Sequence, residues 1–255
     1  MVDVLACIKR VPDTGAKIVL TEDAQDIDAS NLGFTMSPHE ECAIEEAVQQ
    51  VETHGGSTTV LTVGPDEAAE QLRTGLAMTA DEAVLLETDG AEWGPRATAH
   101  AIAADVEAQG RPYDLLLFGN ESADGANYQV GVRVARALGL PCVTGIKDLT
   151  IEDGVAVAKR EVTGGVEVYE VDLPAVVTVK EGINSPRYAS MRARMQARKQ
   201  EVPSREPDPG ERPGAFELVR LETPAEGDSA AVVLGEGPAA APEVVRVLRD
   251  EVEVL

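Results

Sequence analysis

Tyr113-Asp114-Leu115-Leu116-Leu117-Phe118-Gly119-Asn120-Glu121-Ser122-Ala123-Asp124-Gly125-Ala126-Asn127-Tyr128-Gln129-Val130-Gly131 decides the fold. Tyr113 to Phe118 reads as a strand buried on both faces, as strands of a parallel sheet are. A loop of small and polar residues, Gly119 to Asn127, follows. It leads into a helix that ends near Leu138-Gly139, where glycine accepts the left-handed cap. Strand, loop and helix in that order form part of a right-handed crossover unit.

The rest of the first 145 residues repeats the alternation. Val2 to Ile8 is a nearly continuous apolar run and predicts another buried strand. Ser37-Pro38-His39-Glu40 reads as a capping box with Pro at the first helical position. The helix behind it places Ile44, Ala47, Val48 and Val51 on one stripe and stops at Gly55-Gly56. A strand over Thr58 to Val63, a helix over about Asp66 to Met78 and a strand over Ala83 to Leu86 come next. Pro95 opens a further helix that runs to about Gln109. The expected architecture is α/β, an open parallel sheet with helices on both faces.

After Pro141 the pattern changes. Val155 to Lys159 and Val166 to Val171 flank turns at Asp153-Gly154 and Gly164-Gly165, and predict an antiparallel hairpin added beside the parallel sheet. Ala175 to Val179 is a short apolar strand, and Ser190 to Gln200 a basic helical segment. Pro203 to Pro213 reads as a linker. One more helix, about Pro242 to Asp250, lies in a C-terminal arm. The expected division is a core of residues 1–200 and an arm of residues 201–255 that docks on something.

Asp and Glu number 45 against 22 Lys and Arg, for a formal net charge of −23. Such a field repels phosphate backbones and anionic membranes, so nucleic acid is not an expected partner. The acid serves either a salt-rich, halophilic cytosol or a docking face for a basic partner; its spread along the chain favours the first. No apolar run approaches the roughly 20 residues that cross a bilayer, so direct membrane insertion is not expected. Met1-Val2-Asp3-Val4 lacks a basic signal-peptide start, and three scattered cysteines suit reduced thiols; both point to the cytoplasm.

The Gly119–Gly131 loop has two readings. It is an ordinary strand-to-helix connection, or a ligand site at the carboxyl end of a parallel strand. Small residues let backbone amides approach an anion, and the helix start adds partial positive charge. The pattern is neither a Walker nor a Rossmann fingerprint. Cys7, at the end of the first strand, reads foremost as a small core hydrophobe. His39, His54 and His100 lack metal-ligand spacing, and no Gly-x-Ser-x-Gly elbow is present, so metal-dependent or nucleophilic catalysis is disfavoured.

One long ordered match bears on function. Lys159-Arg160-Glu161, Gly164-Gly165-Val166-Glu167, Leu173-Pro174-Ala175-Val176-Val177-Thr178 and Asn184-Ser185-Pro186-Arg187-Tyr188-Ala189 follow one another. The series resembles the signature of the beta subunit of electron transfer flavoprotein, the family that includes the small Fix subunit. Thr163 and Tyr169 depart from it, standing where an acidic and an aliphatic residue are usual. The resemblance covers roughly residues 2 to 200.

It implies an adenine-nucleotide-binding, Rossmann-like core and an electron carrier rather than an enzyme. It implies FAD held mainly by an alpha subunit, and a buried AMP surrounded by Cys7, Ser37, Val63, Asp124, Asn127, Gln129 and Val130. Ser37 stands where many relatives have Asn. Thr14 and His39 occupy positions near the flavin ring, where animal relatives often carry aromatics. Tyr188, Met191, Arg192, Arg194, Met195 and Arg198 fall in the segment that recognises client dehydrogenases, and Glu167 in a contact with the partner subunit. Met191 and Met195 share a helical face, so the segment also reads as an amphipathic surface helix packing its own methionines. The implied partners are flavin dehydrogenases such as those of acyl-CoA in fatty acid oxidation, and the ETF-quinone oxidoreductase that receives the electrons. Two rivals remain: an electron-bifurcating form with a second FAD in place of AMP, and a stand-alone adenine-nucleotide-binding protein.

Overall fold

The computed structural model describes residues 1–90, 93–110, 113–208, 210, 218–224 and 231–255. The chain forms two units, Met1–Val219 and Arg220–Leu255. In the first unit, β1 (Val4–Ile8) leads through the short pair β2 (Val11–Pro12) and β3 (Phe34–Thr35) into α1 (Pro38–His54). Then come β4 (Thr58–Gly64), α2 (Ala69–Ala77), β5 (Glu82–Glu87), α3 (Pro95–Gln109), β6 (Leu115–Gly119) and α4 (Val130–Leu138). β7 (Cys142–Ile146), β8 (Asp148–Glu152), β9 (Val155–Val162), β10 (Gly165–Asp172) and β11 (Ala175–Val179) follow. α5 (Met191–Ala197) and β12 (Ser204–Arg205) complete the unit. The second unit contains α6 (Ala241–Asp250).

Seven parallel strands form one sheet in the order β12-β5-β4-β1-β6-β11-β7. The period-2 alternation of each strand divides it between two cores. Val4, Ala6 and Ile8 of β1 join Ile44, Ala47 and Val48 of α1 and Leu72 of α2 on one face. Leu5 and Cys7 join Ala99 and Ile102 of α3 and Val134 of α4 on the other. Helices therefore cover both faces, as the sequence predicts. After β1 the chain steps outward to β4 and β5, then crosses back to β6 on the far side of β1. The switch point lies between β1 and β6, the place where open α/β sheets collect ligands.

The turn from α1 into β4 depends on Gly56. Its φ is +121°, and a Cβ there would sit 2.2 Å from the Val2 carbonyl oxygen. No other residue fits that approach.

The expected hairpin forms, β10 pairing antiparallel with β9, and β8 adds a third strand to make a small separate sheet in the order β10-β9-β8. Asp153 and Gly154 both have positive φ, as the tight turns favoured between antiparallel strands require, and so fold β8 back onto β9. Within the expected linker, Ser204 and Arg205 pair with Leu85 and Leu86 as an edge strand. The Arg205 guanidinium donates to both carboxylate oxygens of Asp105 at 2.8 Å, which fixes that edge to α3. Pro209 and residues 211–213 of the same stretch lie outside the described residues.

Candidate functional site

The carboxyl ends of β1, β4 and β6 are joined by polar contacts. Lys9, the residue after β1, reaches Asp124 in the β6–α4 loop at 2.5 Å. Ser37, the N-cap of α1, is fully buried and donates its hydroxyl to the Glu121 carbonyl at 3.2 Å. The start of α1 and the end of β1 are thus both tied to the loop. Asp124 also accepts the Gly125 N–H at 2.6 Å. Burial pushes its carboxyl up, but hydrogen bonds from Lys9 and Ser122 and the Lys9 charge outweigh burial and hold it below its ordinary value. Ala126 and Tyr128 take positive φ, which folds the loop sharply before α4.

Cys7 lies in β1 between Leu61 and Phe118. Burial, then the charges of Asp105 and Glu40, push its thiol far up. The thiolate is therefore disfavoured, consistent with a core thiol. Val63 stands near the end of β4, half-buried against the same core. Val130 begins α4, and Asn127 is exposed in the loop. The Gln129 side chain turns to its own helix, accepting from Arg133 at 3.0 and 2.8 Å.

The capping box forms: the Glu40 carboxylate accepts the Ser37 N–H at 2.9 Å. Burial lifts the Glu40 carboxyl to about 8 against the opposing pull of the Ser37 and Lys9 hydrogen bonds. Its folded value is raised above its ordinary 4.5, so the folded state holds a proton there that the unfolded chain gives up. The contribution is fully present below about pH 4.5 and lost as pH rises through about 8. Glu40→Gln, neutral throughout, is expected to flatten that decline in urea titrations across the interval. A slope identical to the parent's would refute it.

His39 accepts the Glu181 N–H through Nδ1 at 2.9 Å, and its Nε2 lies 3.4 Å from Glu121. It borders a cleft of about 350 Å³ shared with Lys147 and Lys180. Sequence reasoning missed those two lysines. The available signal was position, because each directly follows the last residue of a parallel strand, as Lys9 does. Thr14 sits in an exposed turn closed by Asp13.

The Asn184-Ser185-Pro186-Arg187-Tyr188 motif is a tether. Asn184 donates to the Cys42 carbonyl and to Glu46, both at 3.0 Å. Arg187 binds Glu45 through its backbone N–H and through its guanidinium, which also reaches Glu52 and Thr79. The following helix, α5, is N-capped by Ser190 and buries Ala197 beside Ala77 of α2. This geometry leaves Tyr188, Met191 and Met195 at 84%, 71% and 60% exposure. Arg194 lies 5.0 Å over the Tyr188 ring, and Arg192 and Arg198 are exposed beside it. Glu167 is held within the small sheet by Arg160 and the Tyr169 hydroxyl.

Among the described residues no His, Cys, Asp and Glu cluster could hold a metal ion. No helix among them is long and apolar enough to cross a membrane.

The model of the electron transfer flavoprotein domain matches residues 26–209. The chain is 37% identical to electron transfer flavoprotein subunit beta of Bacillus subtilis over 254 residues, 97% of this chain and 98% of the relative. It is 37% identical to the subunit beta of Mycobacterium tuberculosis over 207 residues, 79% and 78% of the two chains. The CarD subunit of the caffeyl-CoA reductase-Etf complex of Acetobacterium woodii is also 37% identical, over 202 residues and 78% and 76% of the chains. With a matching family model over most of its length and relatives of this similarity, the chain belongs to the electron transfer flavoprotein family, as a beta subunit.

Proposed function

We propose that this subunit pairs with an alpha subunit to form a cytoplasmic electron carrier, binds AMP at the switch point, and docks flavin dehydrogenases through α5. The observation that carries the reading is the exposed Tyr188–Met191–Met195 patch. Flexible thioethers ringed by arginines suit an adaptable protein contact. FAD, held mainly by the alpha subunit, supplies the redox chemistry. This chain supplies the docking helix and part of the wall around Thr14 and His39. Acyl-CoA dehydrogenases are the proposed donors and a quinone oxidoreductase the acceptor. The arm beyond residue 200 contacts the alpha subunit, and the acidity suits a halophilic cytosol.

The donor set fits a mononucleotide. Backbone amides of a small-residue loop at the start of α4 suit a phosphate. The Asp124 carboxylate suits hydroxyl groups, and the apolar strand ends at Cys7 and Val63 suit an aromatic ring.

Met191→Glu with Met195→Glu is expected to weaken dehydrogenase docking by about tenfold or more, as loss of a central anchor does. Flavin content and heterodimer formation stay at parent levels. Binding of the double variant at parent affinity would refute the role of α5. The similarity to a subunit of a caffeyl-CoA reductase complex favours a second reading, in which another FAD takes the place of AMP. Co-expression with an alpha subunit, denaturation and quantification of released flavin and AMP separates the two. One FAD and one AMP per heterodimer supports the simple carrier, and two FAD without AMP the second reading.

A further inference from the structure

The segment between β11 and α5 runs along one face of α1 and is anchored there three times, in chain order. The first anchor is the Glu181 N–H, which His39 Nδ1 accepts at 2.9 Å. The second is Asn184, whose side-chain amide donates to the Cys42 carbonyl and to Glu46. The third is Arg187, on Glu45 and Glu52. His39, Cys42 and Glu46 recur at i, i+3 and i+7, so they line one stripe of the helix. Tyr188 and α5 follow directly, and this strap decides where they stand.

The first anchor sits on a turn. Lys180 accepts the Ile183 N–H at 3.3 Å, and Gly182, third in the turn, has a φ of +90°. The Lys180 N–H donates to the Ile146 carbonyl at 3.0 Å, which ties the turn to the end of β7. The turn itself does not use the Glu181 N–H; His39 does. A backbone N–H only donates, so Nδ1 is the bare nitrogen of a neutral ring and Nε2 carries the proton. Nε2 lies 3.4 Å from Glu121.

An imidazolium has two donors and no acceptor. Protonation of His39 therefore sets one N–H against another, and the first anchor is lost. The other two anchors do not share this property. Cys42 offers a carbonyl, Glu46 keeps an acceptor oxygen even when protonated, and Arg187 stays charged. The groups facing the ring decide which side yields. Glu121 from the β6–α4 loop, Glu161 of β9 and Glu181 are acidic; Lys147, between β7 and β8, and Lys180 are basic. Glu40, next in α1, is turned to the Ser37 N–H instead. Glu121 stands nearest the ring and accommodates the imidazolium. The strap is what must move.

We propose that His39 is a positioning residue for dehydrogenase docking: its neutral ring holds the strap at Glu181, and its protonation frees the strap and loosens the α5 surface. This inference rests on the docking reading of α5.

The test measures the affinity of the heterodimer, with oxidised flavin and no turnover, for immobilised acyl-CoA dehydrogenase from the same organism. Measurements at about pH 7.5 and about pH 5.5 bracket the ordinary titration of histidine. His39→Asn is the reference, because its Oδ1 stands near the place of Nδ1 and accepts at both pH values. Effects of pH on the dehydrogenase and on other groups are common to parent and reference. The parent's affinity divided by the reference's is expected to fall about fivefold on acidification, the size of one hydrogen bond. His39→Leu, with no acceptor, should bind more weakly than the reference by a factor that pH leaves unchanged. Amide exchange on the heterodimer alone, corrected for intrinsic rates, gives a second readout. The peptide that holds Glu181 should lose protection at the lower pH in the parent and keep it in His39→Asn. A constant affinity ratio, or Glu181 protection indifferent to pH, overturns the role of His39 and leaves the docking reading standing. A parent that binds no dehydrogenase at either pH overturns the docking reading and this inference with it.

Discussion

Arg187→Ala is expected to cost about 3–5 kcal/mol of folding stability, the range for removing one partner of a buried ion pair. The side chain of Glu45 is only 4% exposed, whereas that of Glu52 is 57% exposed. The loss therefore comes from Glu45, and the Glu52 arm adds little. Burial alone pushes the Glu45 carboxyl up; hydrogen bonds from Arg187 and Gln49 reverse that and hold it below its ordinary value. Without the guanidinium the buried carboxylate keeps only Gln49 and a backbone N–H. A group with a depressed folded value stabilises above its unfolded value and loses the effect as pH falls through the folded one. The parent should thus weaken below about pH 4.5, and Arg187→Ala should show less of that acid sensitivity. Arg187→Lys recovers only part of the loss, because an ammonium cannot reproduce the forked contact with two carboxylates. Glu45→Gln combined with Arg187→Met removes both charges and should recover more stability than either single change predicts. Urea midpoints of these five variants, the two single changes included, decide the matter. An Arg187→Ala midpoint equal to the parent's would sink the tether. The same variant should also loosen dehydrogenase docking, since the tether fixes where Tyr188 and α5 stand.

Local patterns carried much of this architecture. The continuous apolar run of β1 and the caps around α3 are short-range signals, and the expected bounds of α3, Pro95 to Gln109, match the helix. Ala175–Val179 likewise lies between β6 and β7, where a strand buried on both faces belongs. β12 was not legible because two residues in a proline-rich stretch have no period, and only the exposed edge of β5 makes a strand of them. β8 was hidden for a different reason. Its alternation over five residues is plain once paired with β9, but its first partner, Lys159, is eleven residues away across a turn. The site divides in the same way. The Asn-x-Pro-Arg sequence was visible as a motif, yet its physical task depends on Glu45, 142 residues away. The exposure of Met191 and Met195 was equally beyond periodicity, because a methionine pair on one helical face reads the same packed or free. Tyr169, a departure from the family pattern, proves to hold Glu167 together with Arg160.

Gly131→Val is expected to separate nucleotide binding from folding. Gly131 is buried in the first turn of α4, against the sheet. A Cβ at this position would stand 2.9 Å from Thr178 Cγ2 and 3.2 Å from the Phe118 ring. Neither neighbour can yield cheaply. The Thr178 hydroxyl donates to Asn120 Oδ1 and accepts the Gly145 N–H, each at 2.9 Å, so rotating its methyl away breaks contacts that join β11 to the ends of β6 and β7. Phe118 is 4% exposed within the core. The start of α4 must therefore lift, carrying Gln129 and Val130 and the loop that Lys9 and Ser37 hold. Overpacking of this kind costs about 1–3 kcal/mol, or roughly 2–4 °C of melting temperature per kcal/mol in a chain of this size. The fold survives such a loss. A phosphate site built from backbone amides tolerates much less displacement, since a hydrogen bond weakens steeply once its distance and angle are lost. The variant heterodimer should accordingly melt a few degrees lower and release little or no AMP on denaturation while its flavin content holds. Full AMP content at the lowered melting temperature would mean that the nucleotide is bound somewhere other than the start of α4.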